Sequence, residues 1–213
     1  MIDPVELQIM TGALRAICEE MGAVLIQSAH SANIKERRDA SAALFDRGGE
    51  MVMQAEHIPV HLGAMPAAVA AVLDEDHAAG RSWILNDPYR GGTHLPDITV
   101  ITPVFAADEL LGFAASRAHH ADVGGPTPGS MPADSRTLED EGIVIEPRVL
   151  DEEALFELSE QMRQPAQRRA DLRAQLAAGR VGARRLRELH DRVGDQTLRE
   201  AFKEVLELER EAI

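Results

Sequence analysis

The sequence predicts an α+β fold: an N-terminal helix, β-hairpins and a mixed sheet with covering helices, then an all-helical C-terminal segment. Three observations support this. Apolar residues recur at helical spacing near the N-terminus, apolar runs flank short polar breaks in the middle, and residues 151–213 show helical periodicity without a strand pattern. We therefore expect an α+β domain over residues 1–150, which holds the candidate site. Residues 151–213 should form a helical segment that docks a partner or begins a further region.

The first helix is predicted by its N-terminal signals and by one apolar face. Asp3 suits the N-cap, Pro4 suits the first helical position, and Glu6 lies three residues after the cap. The apolar face that follows consists of Leu7, Met10, Leu14, Ile17, Met21 and Val24. The helix should end near Ser28.

Two β-hairpins are predicted next. The first pairs residues 42–45 with residues 51–55 across a turn that contains two glycines. The second pairs residues 98–105 with residues 110–116 across a polar break. Three elements are expected between the hairpins: a loop at 57–63, an alanine-rich helix at about 66–79 and a buried strand at 83–85.

Residues 151–213 are predicted to form three or four helices. The residues that should separate these helices are Pro165, Gly179 and Gly194. The segment is rich in arginine, which is typical of a solvated helix face with glutamate partners. A surface that docks a partner subunit is the main alternative.

Composition and charge exclude some classes of protein. The 213 residues include 22 basic and 36 acidic ones, for a formal net charge of −14, which argues against binding to nucleic acid or to an anionic membrane. Neither a basic region followed by an apolar core nor an apolar run of membrane-spanning length occurs in the sequence. Cys18 is the single cysteine, so no intramolecular disulfide can form. We expect a cytoplasmic protein.

The residues with the most chemical potential lie at the two ends of the second hairpin. His94 and Asp97 precede its first strand, and His119 and His120 follow its second. If residue numbers across the hairpin sum to about 215, Asp97 lies opposite roughly Ala118, so the two ends meet. Imidazole and carboxylate together are typical ligands of a divalent metal. These residues favour a metal site, and a non-metal polar site or a structural network are the alternatives.

Neighbouring residues and other histidines extend this hypothesis. His119 and His120 point to opposite faces of a strand, so one should be a ligand and the other should lie in a supporting shell or the core. His57 and His61 flank a proline turn and are a further ligand, a general base or simply hydrogen-bonded turn residues. Asp39 is either a carboxylate ligand or, as its arginine neighbours favour, an ion-pair partner.

Common catalytic and nucleotide-binding motifs are missing from the sequence. It contains no GxxxxGK[ST] phosphate loop, no GxGxxG after a strand and no GxSxG elbow. Any nucleotide chemistry is therefore expected on another chain or another domain.

Several separated motifs resemble the hydantoinase B/oxoprolinase family, and together they cover nearly the whole chain. They are SANIKERRD at 31–39, HIPVHLG at 57–63, NDPYRGGTHLPD at 86–97, HHADVGG at 119–125, DLRAQ at 171–175 and RVGARRL at 180–186. The family includes N-methylhydantoinase B-type subunits, 5-oxoprolinases and the large subunits of acetone and acetophenone carboxylases. In it, a metal-bearing B-type unit works with a separate ATP-using A-type unit.

The resemblance implies a ligand set, a cofactor and a partner. It implies that His94, Asp97 and His119 hold a divalent metal (Zn, Mn or Fe) and that Asp39 is a fourth ligand. ATP would be used by a hydantoinase A-type partner subunit in a hetero-oligomer.

The implied function is that of a metal-dependent B-type subunit of an ATP-dependent hydantoinase or 5-oxoprolinase-like amidohydrolase, which opens a cyclic amide such as a lactam or hydantoin. Proton transfer would fall to His120, or to one of His57 and His61. The alternatives are a subunit of an ATP-dependent ketone carboxylase and a non-catalytic fragment or assembly module. The last is kept because family members usually continue for several hundred residues beyond the position of Ile213.

Overall fold

The computed structural model describes residues 2–56, 61 and 63–211 and confirms the α+β class. The elements are α1 (Pro4–Ser28), α2 (Ala32–Lys35), β1 (Ala40–Asp46), β2 (Met51–Glu56), α3 (Met65–Ala70), β3 (Trp83–Leu85), β4 (Asp97–Ala106), β5 (Glu109–His119), β6 (Arg148–Val149), α4 (Glu152–Glu160), α5 (Pro165–Val193) and α6 (Asp195–Glu211). A 3₁₀ turn covers Leu138–Asp140. In the part of the chain so described, no helix is both long and apolar enough to cross a membrane.

The strands form one six-stranded sheet in the order β2-β1-β5-β4-β3-β6. Every pairing between these described strands is antiparallel, so the expectation of a mixed sheet is corrected. Tight hairpins join β1 to β2 and β4 to β5, and strands joined in this way run antiparallel. The remaining neighbours extend the same alternating pattern.

Alternate side chains of the sheet enter different cores, because successive residues of a strand point to opposite faces. Ala42 and Leu44 pack with apolar residues of α1, α5 and α6, whereas Ala43 and Phe45 pack with α3. The long helices thus cover one face of the sheet and the short α3 covers the other. Helices on both sides of residue 150 share a core with the sheet, and a domain boundary at that residue stays a prediction.

The first helix has the predicted start, end and buried face. The Asp3 carboxylate accepts hydrogen bonds from the backbone N–H groups of Val5 at 2.9 Å and Glu6 at 3.4 Å, as an N-cap does. The helix ends at Ser28. Most of the predicted apolar face is buried against the sheet and α5, including Met10, Leu14, Ile17 and Met21.

The second hairpin is confirmed, with a change of register of one residue. The change occurs at an irregularity between Val104 and Phe105, close to the turn. One extra residue on β5 at this point is a β-bulge. As a result, Asp97 lies directly opposite His119 rather than opposite Ala118.

The helix predicted at about 66–79 is shorter than expected, since α3 ends at Ala70. The chain then tightens into three-residue hydrogen bonds, from the N–H of Val72 to the C=O of Val69 at 3.1 Å and from the N–H of Leu73 to the C=O of Ala70 at 3.4 Å. A turn of this type aligns residues three apart. It therefore keeps both Val69 and Val72 buried under the sheet.

The predicted break at Gly179 is wrong, whereas Pro165 starts α5 and Gly194 caps it as expected. The helix continues through Gly179 because this glycine allows a close approach to the sheet. A Cβ added there would lie 2.2 Å from Oγ1 of Thr102 on β4. Glycine is needed here for lack of a side chain, not to end the helix.

Gly179→Ala is expected to lower the free energy of unfolding by about 1–3 kcal/mol through overpacking, although alanine is the better helix former. Gly12 in α1 is the matched control, because an added Cβ there meets nothing within 4 Å. Gly12→Ala should raise the free energy of unfolding by about 0.5–1 kcal/mol. Urea denaturation measures both, and changes of the same sign would contradict the close approach at Gly179.

Candidate metal centre

Three candidate ligands meet at one end of the sheet, on the face that α3 covers. Asp97 is the first residue of β4, His119 is the last of β5, and the two form a cross-strand pair. His94 lies in the loop that leads into β4. One possible ligand atom from each of the three residues lies within 4.8 Å of the others. The structure therefore brings together the two hairpin ends that the sequence analysis singled out.

Asp97 is at the centre of this cluster. Its Oδ1 lies 2.9 Å from Nε2 of His94 and 3.1 Å from Nδ1 of His119. The two imidazole rings are 5.0 Å apart between centroids. The hydroxyl of Thr93 donates a hydrogen bond to Oδ2 of Asp97 at 3.2 Å. Asp97 is 4% exposed, whereas the His94 side chain is 41% exposed, so the cluster opens to solvent on the His94 side.

The electrostatics of the cluster favour an ionised carboxylate. Burial raises the pKa of Asp97, but the neighbouring imidazoles of His119, His61 and His94 together outweigh burial and hold that pKa well below its usual range. The hydrogen bond to Asp97 raises the pKa of His94 in turn. Asp97 is therefore charged at neutral pH, as a metal ligand must be.

His61 also faces the cluster. Its Nδ1 lies 3.0 Å from the hydroxyl of Ser41 on β1, which orients the ring. Its Nε2 lies 3.6 Å from Oδ2 of Asp97 and 3.7 Å from Oδ1 of Asp39. This nitrogen is buried and finds no hydrogen-bond partner within the described residues. A buried nitrogen directed at two carboxylates fits a ligand or a proton carrier better than a hydrogen-bonded turn residue.

Asp39 lies at the edge of the cluster, just before β1. Among the ion pairs of the described residues, its carboxylate pairs with His61 and with no arginine. Its backbone C=O accepts a hydrogen bond from the N–H of His119 at 3.0 Å. Asp39 is thus close to the three clustered ligands without joining their tight group, and its ligand role stays a prediction.

His120 lies on the opposite face of the sheet, fully buried against α5. Its Nε2 lies 2.9 Å from Oε1 of Gln175. Burial lowers the pKa of His120 to about 4. The prediction that one of the two adjacent histidines would lie in the core is confirmed, and the structure does not bring His120 to the cluster. His57 lies outside the described residues.

The buried His120 should make the fold sensitive to acid. Its pKa is lower in the folded state, about 4, than the ordinary 6.5, so the unfolded chain binds the proton first as pH falls. The free energy of unfolding should fall by about 3 kcal/mol between pH 6.5 and pH 4 from this group. Urea denaturation in metal-free buffer at pH 7 and pH 4 should show a smaller fall for His120→Gln. Equal falls for both proteins would contradict the assignment.

Sequence reasoning missed the side chain that fixes the loop of His94. The Asn86 amide, fully buried at the end of β3, donates hydrogen bonds to the C=O of Leu95 at 2.8 Å and of Ile143 at 3.1 Å. Its Oδ1 accepts from the N–H of Ile145 at 2.7 Å. An asparagine directly after a buried strand was the available signal, because a buried amide must find such partners.

Comparison with known proteins identifies close relatives. The hydantoinase B/oxoprolinase family model matches residues 3–213. The 5-oxoprolinase 1 of Arabidopsis thaliana is 42% identical over 95% of this chain and 18% of its own length. A relative from Pseudomonas sp. (strain NS671), named as the B-type subunit of a D-/L-hydantoinase, is 32% identical over 96% of this chain and 37% of its own length.

A solved structure agrees with these relatives. The crystal structure of the ATP-dependent caprolactamase from Pseudomonas jessenii matches with a TM-score of 0.88 at 34% identity, over 96% of this chain and 37% of that chain. The chain therefore spans less than two fifths of the length of each of these proteins. With a family match over almost all of its residues, the chain belongs to the hydantoinase B/oxoprolinase family.

Proposed function

We propose that this chain is the metal-bearing part of an ATP-dependent hydrolase that opens a cyclic amide, a lactam or a hydantoin, together with an ATP-using partner subunit. The observation that carries this proposal is the cluster of His94, Asp97 and His119 at a solvent-open end of the sheet. The names of the relatives, 5-oxoprolinase and caprolactamase among them, support cyclic amides as the substrate class.

The donor set fits a divalent metal. Two imidazole nitrogens and an ionised carboxylate are ligands that zinc, manganese and iron accept. The buried Nε2 of His61 supports the same assignment, because an unsatisfied buried nitrogen costs about 1–3 kcal/mol unless a further ligand or proton meets it. His94, Asp97 and His119 would hold the metal, with Asp39 or His61 beside them. Such a metal, when bound, supplies a Lewis acid and lowers the pKa of water.

The side chains around the cluster orient it and handle protons. Asp97 fixes both imidazole rings, and Ser41 fixes the ring of His61. We assign proton transfer to the pair of His61 and Asp39, since their facing atoms are 3.7 Å apart on the side of the cluster, whereas His120 lies across the sheet. The substrate carbonyl would approach from the exposed His94 side.

The ATP-dependent step is assigned to a partner. The sequence contains no phosphate loop, and the name of the Pseudomonas sp. relative describes one component of a larger hydantoinase. The partner proposed is a hydantoinase A-type subunit, which would activate the ring carbonyl by phosphorylation in a hetero-oligomer. An amide in a small ring is a poor electrophile, so this activation precedes attack by water.

The experiment is an assay of the complex of this chain, in its natural length, with the A-type partner. We expect ATP-dependent ring opening of 5-oxoproline, a hydantoin or caprolactam, loss of activity with a chelator, and recovery with zinc or manganese. Incorporation of labelled bicarbonate into a ketone instead would assign the chain to a carboxylase. A complex without bound metal and without turnover would leave an assembly module and overturn the proposal.

A further inference from the structure

Arg117 is a charged side chain with no exposed surface beside the cluster. It lies two residues before His119 on β5 and on the same face of the sheet. Its Nε donates a hydrogen bond to Oγ1 of Thr99 at 2.8 Å. Its Nη2 donates to the backbone C=O of Gly91 at 3.2 Å and of Ala64 at 3.4 Å. One guanidinium thus connects two strands and two loops.

Each of these contacts reaches a segment that carries a candidate ligand. Thr99 follows Asp97 by two residues on β4, Gly91 precedes His94 by three, and the N–H of Ala64 donates to the C=O of His61 at 3.3 Å. Arg117 itself is on the strand that ends in His119. The four ligand-bearing segments are far apart in sequence, and this side chain is bonded to three of them and belongs to the fourth.

We propose that Arg117 is the positioning residue of the metal centre, holding the segments of Asp97, His94 and His61 in one arrangement. This inference rests on the proposed function only in that the cluster binds a metal. The planar guanidinium suits the task, because its donors are fixed in direction and reach three acceptors at once. A lysine in this position has the charge but lacks this rigid fork.

Burial and charge support a positioning role over direct contact with substrate. Arg117 has no exposed surface, so a substrate cannot reach it in this arrangement. Its Nη1 is buried without a hydrogen-bond partner among the described residues. A buried charge with incomplete hydrogen bonding is costly to the fold. Neutral acceptors and the nearby Asp97 carboxylate offset part of that cost, and the arrangement of ligands is what the interaction maintains.

The test is a Zn²⁺ titration of the full chain against a chromophoric chelator, at a temperature where circular dichroism shows each variant folded. Arg117→Lys should weaken Zn²⁺ binding by about ten- to a hundredfold, as loss of a ligand-orienting partner does. Thr99→Val removes a single acceptor and should weaken binding in the same direction by a smaller factor. Hydrogen exchange should become faster in the segments around Ala64 and Gly91.

Leu14→Ala is the control for general destabilisation, because Leu14 is buried in the α1 core away from the cluster. This variant should lose about 2–5 kcal/mol of stability and keep the wild-type Zn²⁺ affinity. If Arg117→Lys does not fold, Thr99→Val decides the question. Wild-type affinity in the folded variants, with binding that still depends on Asp97, would overturn the role of Arg117 alone. Binding that is absent from the wild type, or insensitive to Asp97→Asn, would overturn the metal centre itself.

Discussion

Asp97→Asn is expected to abolish metal binding and to lower kcat/KM for ring opening by the complex by roughly a thousandfold or more. The substitution keeps the shape of the side chain but removes the charge that both His94 and His119 contact. A metal's stabilisation of charge in a transition state is worth several kcal/mol, which corresponds to a factor of this size. Metal analysis by mass spectrometry and steady-state kinetics measure the two effects.

Asp87→Asn is the matched control for this prediction. Asp87 is buried to a similar degree, 6% exposed against 4% for Asp97, and lies in the same loop region. Its Oδ1 accepts a hydrogen bond from the N–H of Tyr89 at 2.9 Å, which an asparagine oxygen also accepts. Metal content and rate should stay within a few-fold of wild type. Full metal occupancy in Asp97→Asn would contradict the central role of this carboxylate.

Gly91→Ala is expected to lower the free energy of unfolding by about 2–5 kcal/mol and to weaken metal binding. Gly91 has a φ of +92°, which costs an alanine about 1–2 kcal/mol. An added Cβ would also lie 2.4 Å from the C=O oxygen of Ala67 and 2.8 Å from Cα of Ala68, so α3 or the loop must move, at about 1–3 kcal/mol more. Movement of the loop displaces His94.

Gly80→Ala separates the two causes, because Gly80 has a similar φ of +80° with nothing within 4 Å of an added Cβ. It should cost only the backbone term, about 1–2 kcal/mol, and leave metal binding unchanged. Urea denaturation and Zn²⁺ titration of both variants measure the difference. The packing of the loop on α3 would be refuted by equal losses in the two proteins.

Local signals in the sequence were sufficient for the first helix and for the core of the site. Asp3 and Pro4 mark a helix start wherever they precede an apolar face, because the N-cap depends on near neighbours alone. Asp97 and His119 were brought together by counting across a hairpin. The family resemblance then selected His119 over His120 and added Asp39.

Other features depend on contacts between distant segments, which residue types do not reveal. Gly179 has the sequence signature of a helix break, but its small size serves the approach of α5 to Thr102. The convergence of His61 on Asp97 depends on how the loop after β2 folds over β1. The buried contacts of Arg117 depend on three segments at once. Tertiary packing of this kind overrides local preference.

The bulge beside the turn of the second hairpin decides which histidine the site uses. Side chains alternate along a strand, so an insertion or deletion of one residue near Val104 would exchange the faces of every residue beyond it. The effect would appear about 25 Å away, at the far end of β5. Because His119 and His120 are adjacent, either parity presents an imidazole to Asp97. Arg117 has no such duplicate, so an odd change in length would keep a histidine at the site and remove the guanidinium that orders it.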